Sequence, residues 1–557
     1  MSTSETQPLR TISGVQAMRG IGMAEARGFW AEAWTRVLSQ RRARVALVWV
    51  SIVAVAAVIG PLIASGHPLL LWPVADDGTT GRVTSPLLRQ LKATDWLLLV
   101  GSVAALSIML ARVKTPRGPR LGMIIAMGVQ AGFTTAVAAG VAGYASRPHA
   151  ADWVRQTEQM DWFVPAASIV SALVVALLFL VPPTTRTMRA RVLLVGLTGL
   201  VCAVVLWGTW KRPLDRFEYD QQEARGARMV YTLVPFSPAQ RPIDRDSKLL
   251  PPGSSSEEPL VRQLIQGMPG SGALTAEQFE NILARVEGLP MSPEERDALA
   301  ASLREQFAAG ALPDRSGIRL AALAELKQLG HRHYLGTDSM GQDVASQMLH
   351  AARLAVSIGV VSTGLAVLIG VTMGSLMGYF GGIIDLLLYR VVEIFMAVPV
   401  LFLLIVAAGV LPRNTYVMMA IIGCFTWHSA ARFTRAEFMK LRNQDFVQGA
   451  KAVGLPLRSI LFKHMLPNGV TPVLVDASFL IAAAILIEAT LSYLGLGPAD
   501  QASWGKLLAS ATGEAGGFLW WLAIFPGVAI FLTVLSYNML GESLRDAIDP
   551  KLRKARV

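Results

Sequence analysis

Long apolar runs, separated by short charged or turn-forming stretches, set the first picture of this chain. They lie near residues 45–65, 95–111, 121–145, 162–181, 191–210, 354–379, 386–411, 415–436, 470–490 and 519–540. A helix needs about 20 apolar residues to cross ~30 Å of hydrocarbon, so the pattern predicts an all-α polytopic membrane protein with about ten transmembrane helices. Spans two to five are closely paired by short loops and read as two inserted hairpins, whose even number leaves the topology downstream unchanged. Before the first run, GMAEARGFWAEAWTRVLSQ at 22–40 puts Phe29, Trp30, Ala33, Trp34 and Val37 on one helical face with charges opposite. That predicts a helix lying in the membrane interface; packing on its own protein is the alternative. The polar stretch ahead of the first run argues against a cleavable signal peptide.

From Lys211 to about Tyr334 the chain turns polar. RMVYTLVPF at 228–236 predicts a strand. Beyond Pro251-Pro252-Gly253, Thr275 with Gln278 and Ser292-Pro293 with Glu295 read as capping boxes, and Gly288, Gly310 and Gly330 stand at helix stops. Phe279, Ile282, Leu283 and Val286 recur at helical spacing. The expectation is a small, mainly helical subdomain.

Composition fixes the solvent. Of 557 residues, 53% are hydrophobic and only 16% charged, and the mean hydropathy is +0.45, which demands a bilayer. Basic residues cluster before the first span (Arg36, Arg41, Arg42, Arg44), in alternate loops (Arg112, Lys114, Arg117, Arg120; Arg186, Arg189, Arg191), after the eighth span, and in the tail (Lys551, Arg553, Lys554, Arg556). Acidic residues such as Asp76, Asp77, Asp152, Glu158 and Asp161 fall between them. By the positive-inside rule both termini lie in the cytoplasm and the 211–335 region outside it. The net charge of +12 is thus an orientation signal, and no nucleic-acid partner is expected. Cys202 and Cys424 sit in separate apolar runs, which argues against a disulfide or zinc site. No phosphate-binding loop, zinc-protease motif or nucleophile elbow occurs, so no catalytic, cofactor-binding or metal-ligating residue is assigned.

Between the runs at 415–436 and 470–490 stands VQGAKAVGLPLRSILFKHMLPN, basic, amphipathic and broken by Gly-Leu-Pro. Ala450, Ala452 and Val453 offer a small apolar face, Gly454 can end one short helix, and Leu455-Pro456 can start the next. With LGTDSMGQD at 335–343, LSYLGLG at 491–497, SWGKLL at 503–508, WW at 520–521, PG at 526–527 and NMLGESLRDAIDPKLR at 538–553, this segment resembles the permease subunits of the dipeptide, oligopeptide and nickel branch of ATP-binding-cassette importers. The resemblance covers the first span and everything from about 335 onward.

It implies a type I importer permease core with inserted helices and an extracytoplasmic domain. The divisions would be a cytoplasmic N-terminal segment (1–44), first span (45–65), four extra helices (66–210), extracytoplasmic domain (211–335), permease core (336–548) and cytoplasmic tail (549–557). An ATPase-docking loop at about 437–468 would carry Gln448, Gly449, Ala450, Gly454, Leu466 and Pro467. Gly336, Thr337, Asp338, Gly341 and Asp343 fall on the family signature. The implied partners are a second, related permease chain as a heterodimer, two cytoplasmic ATPases carrying the ATP and magnesium, an extracytoplasmic substrate-binding protein, and membrane lipid. The implied location is a bacterial inner membrane, and the implied cargo short peptides, with nickel and sugars as further cases. ATP binding would draw the docking loops together and open the path outward; hydrolysis would reset it.

The chain departs from the pattern at two places. Gln448-Gly449 replace the usual Glu-Ala, with a helix cost of about 1 kcal/mol for the glycine, and Gln342 replaces an arginine. Gly370, Gly374 and Gly378 predict close helix packing or a moving helix interface. Glu393 and Glu488, carboxylates in or beside spans, predict pairing with arginine or a place on the pathway. His331 and His333 read as surface residues, since His-x-His alone is no metal site. Rival readings are an ion-driven secondary transporter, which would want internal repeats and midplane acids, and a membrane sensor with an extracytoplasmic receptor.

Overall fold

A computed structural model describes residues 29–74, 81–91, 93–110, 227–238, 249–255, 260–261, 264–266, 274–289, 293–310, 312, 317–319, 321–322, 332–499, 501–512 and 518–548. The predicted runs 121–145, 162–181 and 191–210, the stop at Gly330, His331 and the tail lie outside the described residues.

The chain enters through α1 (Phe29–Ser39), which leads directly into α2 (Arg41–Ile63). The predicted apolar face of α1 divides: Ala33 and Val37 are buried, whereas Trp34 stays 51% exposed. Strand β1 (Leu70–Trp72) and helix α3 (Ala93–Leu110) follow, the latter on the predicted 95–111 run. After the inserted region, β2 (Arg228–Val230) pairs antiparallel with β1, Leu70 opposite Val230. The strand predicted at 228–236 is therefore real at its start, and Val234 continues as a single bridge to Ala64 at the end of α2. The region between them is thus closed at its base, where Val234 N–H donates to Ile63 O at 2.9 Å and Ser65 N–H to Val234 O at 3.1 Å.

A second insertion leaves at β3 (Ser254–Ser255), carries α4 (Ala276–Glu287) and α5 (Pro293–Ala308), and returns at β4 (Arg332–His333), antiparallel to β3. Thr275 and Gln278 form the predicted capping box. Phe279, Ile282, Leu283 and Val286 are buried against Val261, Leu264, Leu299, Leu303 and Ile318, so this insert has a hydrophobic core of its own.

The membrane-embedded part is built around α6 (Val344–Phe380), a single helix of 37 residues. It begins ten residues before the predicted run because its first turns are covered by protein, with Val344, Ala345, Ser346 and Gln347 all buried. Helices α7 (Gly382–Ala397) and α8 (Val400–Val410) share the predicted 386–411 span but bend by 82° between them, where Pro399 removes a backbone donor. The run at 415–436 likewise divides into α9 (Thr415–Thr426) and α10 (His428–Leu441). A short helix, α11 (Asp445–Ala452), precedes α12 (Thr471–Tyr493), α13 (Trp504–Ala509) and α14 (Trp520–Ile548).

Among the described residues, α2, α6, α12 and α14 are each long and apolar enough to cross a membrane, and the bent α7–α8 pair makes a fifth. The protein is a mainly helical, multi-pass membrane protein. Ala351, Ala352 and Ala355 of α6 pack with Ile485 of α12, Ile530 of α14 and Val53 of α2. Trp49 Nε1 donates to Thr533 Oγ1 at 3.1 Å, which fixes α2 on α14. At the opposite end of α14, Val37 of α1 packs on Ala547, and Arg36 donates to the Ala547 carbonyl at 3.4 Å.

Candidate functional site

The segment between α10 and α12 folds as a compact knob. Val447 and Ala450 of α11 turn inward onto Phe438, Ile460, Leu461 and Met465. Gly454 has φ +74°, a left-handed conformation that ends α11 and that glycine adopts without a Cβ penalty. Two bonds close this turn, Gly454 N–H to Lys451 O at 2.9 Å and Leu455 N–H to Ala450 O at 3.1 Å. Pro456, at φ −63° and ψ 145°, caps the next helical stretch. The apolar face predicted for Ala450, Ala452 and Val453 is split: Ala450 is core, while Val453 projects outward at 79% exposure.

Residues Ile460–Met465 form a π-helical turn, which the sequence pattern does not announce. Its cause lies downstream. Pro467 has no N–H to give the Lys463 carbonyl and its ring would collide there, so the preceding turn widens. Leu466, partly buried against the knob core, and Pro467 thus shape the return into α12 rather than the exposed surface.

Gln448 explains the missing carboxylate. Its Nε2 donates to the Arg442 carbonyl at 2.9 Å, closing the end of α10; an ionised glutamate could only accept. Gly449 has no comparable reason, because a Cβ there would meet no atom within 4 Å. Gly449→Ala is expected to stabilise the protein by about 1 kcal/mol, read as a rise in thermal unfolding temperature in detergent. A fall would show that the surface at 449 is not free.

The knob is bound to the helix ends beside it. Lys451 Nζ stands 4.8 Å above the Tyr379 ring at the end of α6. Arg435 of α10 holds Asp385 of α7 in a two-pronged ion pair at 2.5 and 2.7 Å. Glycines 370, 374 and 378 lie along the seam between α6 and α10. A Cβ on them would fall 2.6 Å from Ala430 Cβ, 2.4 Å from Ala431 O and 2.5 Å from Phe438 Cβ, so they permit contact that no side chain would.

At the other end of α6 the signature residues form a stapled loop. Asp338 accepts from Met340 N–H (2.8 Å), Gln342 N–H (2.9 Å) and Gln347 Nε2 (2.7 Å). Gln342 enters this loop through its backbone, Asp338 N–H donating to its carbonyl at 3.0 Å. Thr337 Oγ1 accepts from Leu250 N–H at 2.8 Å and its carbonyl from Trp521 Nε1 at 3.2 Å. Gly336 and Gly341 take positive φ, and at Gly336 a Cβ would sit 2.5 Å from Leu250 O. Asp343 caps α6 through Ser346 N–H at 2.7 Å.

Two expectations need correction. His333 is not a surface residue: it is 5% exposed, lies 2.8 Å from Asp343 Oδ1 through Nδ1, and stacks on Phe236 at 4.1 Å. Glu488 is buried and, among the described residues, meets no arginine; Ser492 Oγ and Ser503 Oγ donate to it at 2.7 and 2.8 Å. Glu393 does pair with an arginine, Arg390, at 2.5 Å on the exposed side of α7. The structure does not bring Glu393 and Glu488 together with the knob. Sequence reasoning also missed Asp385–Arg435 and the pair of the buried Asp95 on α3 with the partly buried Arg353 on α6.

Residues 370–554 match the family model described as "Binding-protein-dependent transport system inner membrane component". The chain is 39% identical over 223 residues to the oligopeptide transport system permease protein OppC of Bacillus subtilis, covering 40% of this chain and 73% of that one. It is 36% identical to the protein of the same name from Haemophilus influenzae, over 40% of this chain and 71% of the relative. With the dipeptide transport system permease protein DppC of Alkalihalophilus pseudofirmus it shares 36% over 228 residues, 40% of this chain and 73% of the relative. The family works with a separate ATPase and a substrate-binding protein, and the permease component is not itself an enzyme. On this footing the chain belongs to the binding-protein-dependent permeases, as a membrane subunit of an ATP-binding-cassette importer.

Proposed function

We propose that this chain forms half of the translocation path of an importer for short peptides. The knob at 445–469 is the surface gripped by a cytoplasmic ATPase. The observation that carries the docking role is the knob's construction: a rigid core seals its inner side, while Phe446, Val453, Leu457 and Phe462 remain exposed beside Lys451 and Arg458. The relatives above are named for oligopeptides and dipeptides, which supports the peptide class. The other half is a second, related permease chain, and a pair of ATPases binds the ATP and magnesium. Closure of that pair would draw the knobs together and open the path outward.

The proposed topology has ten spans with both termini in the cytoplasm of a bacterial cell, and the region 211–335 outside the inner membrane. The insert at 254–329 holds 11 acidic and 7 basic residues in a protein of net charge +12, and its separate core suits a module that meets the binding protein. Complementary charge would speed that encounter. Glu393 and Glu488 are assigned to interfaces or to holding structure, and the glycine seam to the α6–α10 contact that moves with the knob.

One variant tests sidedness and docking together. With Cys202 and Cys424 replaced by serine, Val453→Cys is expected to resist an impermeant thiol reagent in intact cells and to react in inverted vesicles. Reaction should fall at least fivefold when the ATPase subunits are bound. Glu280→Cys, on the exposed side of α4, should react in intact cells. Labelling of Cys at 453 from outside overturns the topology; labelling indifferent to the ATPases overturns the docking surface.

A further inference from the structure

We infer that His333 is a positioning residue of the transport cycle, tying the neck of the outer insert to the head of α6 so that engagement of the insert is felt by the transmembrane core. The inference rests on the outer placement of the insert proposed above.

Three segments meet at this imidazole. Its backbone belongs to β4, which closes the insert against Ser254, and its carbonyl accepts from Gly253 N–H at 2.8 Å and Gly336 N–H at 3.1 Å. Its ring stacks at 20° on Phe236, from the segment returning out of the inserted region. Its Nδ1 donates to Asp343 Oδ1, since a carboxylate can only accept. The other oxygen of Asp343 receives Ser346 N–H, the cap of α6. Both insertions of this chain therefore converge on one buried hydrogen bond to the start of one helix.

Burial alone does not call for histidine at 333. A leucine would fill the space beside Phe236 and keep the strand pair, but it could not hold Asp343. The insert has its own hydrophobic core, so the neck is where a displacement of the module is handed on. Within the neck, strands of two residues each supply little stiffness. The imidazole adds a directional, low-dielectric bond to a cap whose other oxygen is held by Ser346 N–H. At its far end the same unbroken helix carries Tyr379 against Lys451 of the knob.

The test uses the whole importer in proteoliposomes, with permease pair, ATPases and purified binding protein, and compares ATP hydrolysis with and without the binding protein. His333→Leu is expected to assemble and keep basal hydrolysis within twofold, while stimulation by the binding protein drops at least fivefold. His333→Asn, whose amide can donate to Asp343, should recover at least half of it. Full stimulation in the leucine variant overturns the inference, as does failure of asparagine to rescue. Should the leucine variant not assemble, Ser255→Cys with Arg332→Cys, placed opposite each other, closes the neck covalently in that background. Assembly without stimulation then supports the inference; return of both, or continued failure to assemble, reduces His333 to a structural residue. Absence of stimulation in the wild-type importer is a failure of the outer-face reading itself, and the inference falls with it.

Discussion

Gly374→Leu is expected to abolish transport while leaving the chain in the membrane. A Cβ at 374 would lie 2.4 Å from Ala431 O, 2.6 Å from Thr434 Cβ and 3.0 Å from Arg435 N. Two of those atoms are backbone and cannot rotate away, so α6 and α10 must separate along the seam that leads to the knob. Overpacking of this kind typically costs about 1–3 kcal/mol, and the separation would also disturb the Asp385–Arg435 pair beside it. Gly364→Leu on the same helix is the control, since a Cβ there meets nothing within 4 Å. The expected outcome is loss of substrate uptake and a lowered unfolding temperature for the first variant, and near wild-type behaviour for the second. Equal behaviour of the two would mean that the seam tolerates separation.

The second large effect concerns the attachment of α3 to the core. Asp95→Ala is expected to destabilise the protein by up to roughly 3 kcal/mol, the lower end of the cost of stranding one member of a buried ion pair, because the arginine here is only partly buried. Arg353, on the central helix, then lacks the carboxylate that now meets it, and its side chain is only 23% exposed. Replacing both residues, Asp95→Ala with Arg353→Met, should restore much of the loss, because the uncompensated charge is gone. Thermal unfolding of the four members of this cycle gives the coupling directly. Additive losses would show that the two charges do not depend on each other.

Hydropathy made the membrane class legible, and the Gly-Leu-Pro break located the knob, because both are signals carried by consecutive residues. The helical insert was readable for the same reason: Thr275, Gln278 and the Phe279–Val286 stripe are local. What stayed hidden depends on residues far apart in the chain. His333 reads as a surface residue because a bare His-x-His in a loop shows no partner, while Phe236 and Asp343 that bury it come from other segments. For Glu488 the sequence leaves an arginine partner and a pathway role equally open, and one of the two serines that hold it arrives across a loop, from position 503. Asp95 and Arg353 lie 258 residues apart. The π turn at 460–465 follows from the ring of Pro467 acting backwards on the chain, a constraint to which a periodicity count is blind.

Arithmetic on α6 adds a mechanical consequence. At about 1.5 Å per residue its 37 residues reach about 55 Å, nearly twice the ~30 Å hydrocarbon layer. A rod of that length amplifies. Pivoted at its stapled head, a tilt of about 5° would sweep its far end sideways by roughly 5 Å, close to one helical turn. The head could shift by less than a bond length in the process and keep every hydrogen bond of its loop. Length, in this helix, acts as a gear ratio between the two faces of the membrane.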